Sequence, residues 1–256
     1  MPIIDSLGEA EQQASDELRP VLAAHSSVSE RAFNTVGLVL GAAPELPHAQ
    51  VRLSRKVATV LMVRLSNDLR GVALLALRGY SLQAAALAAS MFEVAHCIGY
   101  IGSDDSRAEA WVNHQDPTKP FRSVKSLTED VAKDLGLDDP AKASAVQYRV
   151  YRQLCLAKHS NPLLQKDHGH YANEEAVVAM NGPDTSEEST RVARFSLEHA
   201  TRFTILSLAS FLDHHVPDEK RKPLVERLGQ IQQEVKSLAQ AAIAAYGNDD
   251  PFPGEW

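Results

Sequence analysis

The sequence predicts an all-α fold: a helical bundle with an N-terminal helical extension and a long C-terminal helix. Alanine and leucine supply most of the hydrophobic residues, which make up 44% of the 256 positions, whereas aromatic residues make up only 6%. That balance favours helices over strands. Apolar residues recur at helical spacing through nearly every segment, and no strand pattern alternates with them. These observations indicate a bundle rather than a mixed α/β fold.

Start and stop signals place the individual helices. Pro20 is expected to bend or end the first helix, and Ser27 with Glu30 forms a capping box that starts the second. Gly79 and Gly102 are typical of positions just after a helix end. Helices are therefore expected over about 6–25, 27–42, 49–78, 81–101, 105–114, 123–136, 140–159, 186–215 and 219–246.

Residues 162–185 interrupt this helical pattern. They contain HGH and NEEAVVAMNGPD without a helical period, so the segment is expected to be mostly loop, with AVVAM favouring a short strand. Loops of this length inside a domain are often functional.

The pattern divides the chain into four parts. These are an N-terminal helical extension (1–46), a helical-bundle core (47–216), a C-terminal heptad-patterned helix (217–246) and a disordered tail (247–256). The heptad stripe consists of Leu224, Leu228, Ile231, Val235, Leu238, Ala242 and Ala245. Two interpretations are open: the stripe packs along the bundle, or it forms the seam of a homodimer.

The net charge of −7 argues against a protein that coats DNA. Local basic clusters, such as Arg149, Arg152 and Lys158, would support contact with phosphate at one place only. Possible RNA at a local site, self-association or a protein partner therefore remain the expected partners.

The sequence favours a cytoplasmic protein. Cys97 and Cys155 lie in helical segments without a C-x-x-C pattern, which is typical of free thiols in a reducing compartment. The N-terminus lacks the charged and apolar regions of a signal peptide. The most apolar stretch, 84–101, is interrupted by Glu93 and His96, so no membrane span is expected.

The segment YRVYRQLCLAKHSNP, residues 148–162, is the strongest indication of a site. In a helix it places Tyr148, Arg152, Cys155 and His159 on one face, and the helix ends at Ser160-Asn161-Pro162.

A second polar stripe crosses the apolar helix 81–101. It contains Ser90, Glu93, Cys97 and Tyr100, with His96 at its edge. Because a buried carboxylate is costly unless it is paired, we expect the two stripes to face each other, with Glu93 paired to Arg152 or His159. The alternative is a purely structural network of hydrogen bonds.

The R-x6-H spacing of Arg152 and His159 resembles the motif of the HEPN superfamily of small helical bundles, many of which are metal-independent ribonucleases. The resemblance implies that His159 acts as general acid or base on a ribose hydroxyl and that Arg152 steadies the phosphate. Gln153 departs from the Asn, His or Asp that often follows the arginine. Arg107 and His114 show the same spacing.

A longer resemblance spans roughly residues 50–215. An RSxFE-like helix, here with Ala89 in place of the arginine, precedes a helix similar to YxxLCxxxHxNP. Both resemble an uncharacterised bacterial all-helical domain family without a known reaction. The positions that match this family are Gly79, Ser90, Phe92, Glu93, Tyr151, Leu154, Cys155, His159, Asn161 and Pro162.

Glu93 and His96 form an E-x-x-H pair, but no second copy accompanies it, so neither a metal nor a cofactor is expected. Phosphate-binding loops and hydrolase signatures are absent as well. The candidate catalytic residues are Arg152, His159 and Glu93. The candidate binding residues are His96, Tyr148, Tyr151 and Asn161. Three functions stay open: a HEPN-like ribonuclease or toxin/defence effector, a non-catalytic interaction module, and a metal or small-ligand site around Glu93 and His96.

Overall fold

The structure, a computed structural model, describes residues 3–116, 118–159, 169–173, 176–179, 182–247 and 251–252. Within these residues the chain forms eight α-helices, which confirms the all-α bundle. They are α1 (Ile3–Ala42), α2 (Leu53–Leu77), α3 (Ser81–Ile101), α4 (Asp105–Val112), α5 (Val124–Asp134), α6 (Pro140–Lys158), α7 (Glu187–His215) and α8 (Asp218–Tyr246). A short 3-10 turn, His48–Gln50, precedes α2.

Helix α1 is continuous, so the predicted break at Pro20 and the predicted capping box at Ser27 and Glu30 are wrong. Pro20 has no backbone N–H, so the carbonyl of Asp16 has no donor within the helix. Both residues are exposed, so water can donate to that carbonyl instead. The opposite face of α1 packs against α2, α7 and α8, and its burial outweighs the local stop signals. The buried apolar residues of that face are Ala14, Leu18, Leu22, Val28, Ala32, Val36 and Val39.

Helix α3 is the centre of the bundle and packs against α2, α5, α6 and α7. Small side chains let these neighbours approach closely, since Ala84, Ala85, Ala88 and Ala89 are all fully buried. Length and composition alone would also allow α3 to cross a membrane, and 61% of its most apolar window is buried inside the bundle.

Gly79 makes the turn between α2 and α3 with a positive φ of 81°. A Cβ atom there would lie 2.8 Å from Cβ of Pro183 and 2.9 Å from the amide nitrogen of Asp184. That amide donates to the Gly79 carbonyl over 3.0 Å. The turn therefore fastens the start of α7 to the core, and a side chain at position 79 would obstruct it.

The segment predicted as loop, 162–185, contains two short antiparallel strands, β1 (Gly169–Asn173) and β2 (Ala176–Ala179). The second coincides with the short strand expected at AVVAM. Residues 160–168, 174–175 and 180–181 lie outside the described part of the chain.

The heptad stripe of α8 packs within the chain. Of its members, Leu228, Ile231 and Val235 are buried, Leu224, Leu238 and Ala242 are half-buried, and α8 contacts α1 and α7. The stripe therefore packs along the bundle over part of its length, and the homodimer stays a prediction. Phe252, in the stretch expected to be a disordered tail, is buried with its ring edge-on to Phe195 at 5.6 Å. The four-part division of the chain otherwise stays a prediction.

Candidate functional site

The face of α6 that contacts α3 is formed by the residues one position before the predicted stripe. It consists of Gln147, Tyr151, Leu154 and Lys158. A shift of one residue rotates a helix by about 100°. As a result Arg152 and His159 are exposed, and α6 presents two different faces.

Glu93 lies between α3 and the C-terminal part of α6. The Tyr151 hydroxyl donates to Glu93 Oε1 over 2.7 Å, and Lys158 Nζ donates to the same oxygen over 2.5 Å. The expected pairing of Glu93 with Arg152 or His159 is therefore wrong, because Lys158 supplies the positive charge. Burial, followed by hydrogen bonds to Cys155 and Glu93, raises the pKa of Tyr151, so its hydroxyl remains a donor.

The two thiols beside this cluster are poor nucleophiles. Burial raises the pKa of Cys97 to about 12, and the Glu93 carboxylate contributes to the shift. Burial likewise raises the pKa of Cys155. Because the thiolate is the reactive form, both side chains stay protonated and inert near neutral pH. The Glu93 cluster therefore has the properties of a structural link between α3 and α6.

His96 is fully buried one turn after Glu93. Its Nδ1 lies 2.9 Å from the Phe92 carbonyl oxygen, and its Nε2 lies 2.8 Å from Oε1 of Gln147. The ring stacks on Phe92 with centroids 3.9 Å apart. Burial lowers the pKa of His96, so the ring is neutral and carries a single N–H, and its contact with Gln147 links α6 to α3.

Tyr148 and Arg152 lie on the outer face of α6, where they line an open groove of about 700 Å³ between α5 and α6. Among the described residues, five cationic side chains line this groove with one carboxylate, that of Glu129. The cations are Lys125, Lys133, Lys142, Arg149 and Arg152. The groove therefore carries a local excess of positive charge in a chain whose net charge is −7.

The groove follows from the turn between α5 and α6. Ser123 and Asp139 cap the two helices through hydrogen bonds to the amides of Ser126 and Lys142, so the helices start at fixed points. Gly136, with a φ of 62°, reverses the chain between them. Consequently the lysines of α5 face the basic side of α6.

His159 forms the C-cap of α6, where its amide donates to the Cys155 carbonyl over 3.0 Å. Its side chain is exposed and lies on the same side of the helix as Arg152, two turns further along. Asn161, the last candidate binding residue, lies outside the described residues.

Several contributors to these sites were not expected from the sequence. Lys158 and Gln147 could have been found from the apolar residues Val150, Leu154 and Ala157, which mark the buried side of α6 better than the polar motif does. The lysines of α5 carry no comparable signal, because only the pairing of α5 with α6 brings them to Arg152.

Groups of three or more metal-ligating side chains are not found among the residues that the structure describes. Comparisons with family models, curated proteins and solved structures find no match for this chain. The basic groove beside Arg152 is therefore the feature from which a function is best argued.

Proposed function

We propose that this protein binds single-stranded RNA along the groove between α5 and α6 and cleaves it with Arg152 and His159. The observation that carries the proposal is the groove itself, in which five cations face one carboxylate. Lys125, Lys133, Lys142 and Arg149 form no ion pair with the described residues, so they are available to phosphates.

Tyr148 adds a surface on which a base can stack. Its ring lies in the groove and stacks on Tyr151 with centroids 5.9 Å apart, which holds it in place. Stacking of bases on aromatic rings and a basic track for phosphates are the two devices by which proteins hold single strands.

The chemistry assigned to Arg152 and His159 rests on the resemblance to HEPN ribonucleases. His159 removes the proton from a ribose 2′-hydroxyl, whose oxygen attacks the adjacent phosphorus, and the bond to the 5′-oxygen breaks. The products are a 2′,3′-cyclic phosphate and a 5′-hydroxyl, which takes up a proton. Arg152 holds the phosphate oxygens as negative charge develops.

The spacing of the two residues defines the path of the strand. They are seven residues apart, which corresponds to about 10 Å of helix rise. A strand running along α6 would therefore meet Arg152 and His159 in turn, while the lysines of α5 hold its upstream phosphates.

The test is cleavage of labelled single-stranded RNA in the presence of EDTA by wild type, His159→Ala and Arg152→Ala. Arg70→Gln serves as the control, because Arg70 is an exposed cation on α2, away from the groove. We expect wild type and the control to cleave equally, and His159→Ala to lose at least about 100-fold in rate. Equal rates in all four proteins would remove the nuclease, and tight binding without cleavage would leave a binding protein.

A non-catalytic interaction module is the second candidate. The outer face of α2 exposes Val60, Val63 and Leu74, which lie on one side of the helix. A self-association surface there predicts a dimer by light scattering that Val60→Asp and Val63→Asp dissociate. An unchanged monomer in all three proteins would exclude it. In either case the two free thiols fit action in the cytoplasm.

A further inference from the structure

A second cavity lies between α6 and α7, and Val146 lies at the border between it and the basic groove. Both helices pack against α3 but make little contact with each other, and the gap between them is a cavity of about 400 Å³. That volume is within the range of small-molecule pockets. Residues from four helices line it: His96, Val146, Gln147, Val150, His199, Arg202, Phe203, Ile205, Leu206, Ala209 and Gln232.

His199 is the unusual side chain of this cavity. It is only 8% exposed, it lies between the rings of Phe195 and Phe203, and no hydrogen bond joins its ring nitrogens to the described residues. Burial, aided by the nearby charge of Arg202, lowers the pKa of His199 to about 3. The ring is therefore neutral and offers one donor and one acceptor to whatever occupies the cavity.

The charge of the cavity wall is balanced. Arg202 donates from Nη2 and Nε to Glu198 Oε1 over 2.9 and 3.0 Å, so its positive charge is compensated. Gln147 is hydrogen-bonded to His96 across the floor of the cavity. A wall without net charge favours a neutral occupant over an ion.

The remaining wall is apolar and in part aromatic. Phe203, Leu206 and Val150 form the sides, and the exposed Val146 marks the entrance. Water in such a space finds few partners, so a flat molecule that displaces it gains affinity. We propose that this cavity binds a neutral, planar heteroaromatic molecule that forms a hydrogen bond with the His199 ring.

The test uses benzimidazole as the probe, since it is flat, neutral and carries one donor and one acceptor. Indene, which has the same shape without these groups, is its matched control. By titration calorimetry we expect wild type to bind benzimidazole at least about tenfold more tightly than indene. Equal binding of the two probes, or no binding of either, would overturn the proposal.

Two variants test the location of the site. His199→Phe keeps a buried ring but removes both nitrogens, and Ala209→Phe fills the cavity from an exposed position on α7. We expect each to weaken benzimidazole binding at least about tenfold. His215→Phe is the control, because His215 also lies on α7 but lines another cavity. Circular dichroism checks that all three are folded, and unchanged binding in His199→Phe contradicts the proposal.

Another copy of the chain is the competing occupant of the entrance. Light scattering of wild type and Val146→Asp separates the two cases. A wild-type dimer that Val146→Asp dissociates, together with no benzimidazole binding, would show that a second copy covers the cavity and would overturn the proposal. A monomer that binds benzimidazole supports it.

Discussion

Two buried histidines make the stability of this protein depend strongly on pH below neutrality. His199 on α7 and His25 on α1 are each 8% exposed. Burial, together with the charge of Arg202, lowers the pKa of His199 to about 3, and burial with the charge of Arg194 lowers that of His25 to about 4. Both rings are therefore neutral in the folded protein at pH 5, whereas an unfolded chain protonates them.

The sign and size of the effect follow from proton linkage. Because the unfolded state binds more protons below about pH 6.5, stability falls as the pH is lowered, and it continues to fall until the pH reaches the folded pKa values. Between pH 7 and pH 5 each histidine lowers the free energy of unfolding by about 2 kcal/mol, and the two together lower it by about 4 kcal/mol. This is a large part of the total free energy of unfolding of a typical domain, which is roughly 5–15 kcal/mol.

Urea denaturation at pH 7 and pH 5 measures the effect. In His199→Phe, the loss of unfolding free energy between the two pH values should be smaller than in wild type by about 2 kcal/mol. Phe195→Leu is the control, since it disturbs the packing around His199 but leaves the imidazole. Its stability should drop by the same amount at both pH values. An identical pH dependence in wild type and His199→Phe would refute the reasoning.

Three further predictions, with four substitutions, test the packing. Lys158→Met and Glu93→Gln should each lower the free energy of unfolding by about 1–2 kcal/mol in urea denaturation. Their double-mutant cycle should show a coupling of about 1 kcal/mol, because either substitution alone already breaks the half-buried pair. Strictly additive effects would show that the two side chains do not form a stabilising ion pair. Gly79→Ala should cost at least about 1–2 kcal/mol, since it forces a side chain into a positive-φ turn against Pro183; a neutral substitution would mean that the turn relaxes freely. Phe252→Ala should cost about 1–3 kcal/mol by losing its contact with Phe195, and an unchanged urea midpoint would show that the C-terminal segment does not contribute to the core.

The fold class was predictable because helical periodicity is a local property. Helix α3 is apolar on nearly all sides, which correctly indicated its central, buried position. Helix α1 shows the limit of such signals. Pro20 and the Ser27 capping box are ordinary stop and start signals, but a buried face that continues from Leu18 to Val39 keeps the helix intact.

The candidate site was predicted one residue out of register. The polar residues of α6 at positions 148, 152, 155 and 159 share a face, but so do Gln147, Tyr151, Leu154 and Lys158. The apolar residues Val150, Leu154 and Ala157 identify the second face as the buried side. The sequence could indicate that Glu93 needs a cation. Which cation is near enough depends on the rotation of α6 against α3.

The two cavities were not predictable, because each depends on how helices pack against one another in three dimensions. The basic groove needs α5 packed against α6, so that Lys125 and Lys133 line the same groove as Arg149. The α6–α7 cavity exists because both helices pack on α3 and make little contact with each other. Local sequence contains neither relationship.

The salt dependence of RNA binding tests the proposed groove most directly. If the five cations contact phosphates, the logarithm of the binding constant for a labelled oligouridine should fall with the logarithm of salt concentration with a slope of about −3.5. Replacing Arg149 and Arg152 together by glutamine should reduce the slope to about −2, whereas Arg70→Gln should leave it unchanged. A slope that is the same in all three proteins, or absent from wild type, would contradict a phosphate track between α5 and α6.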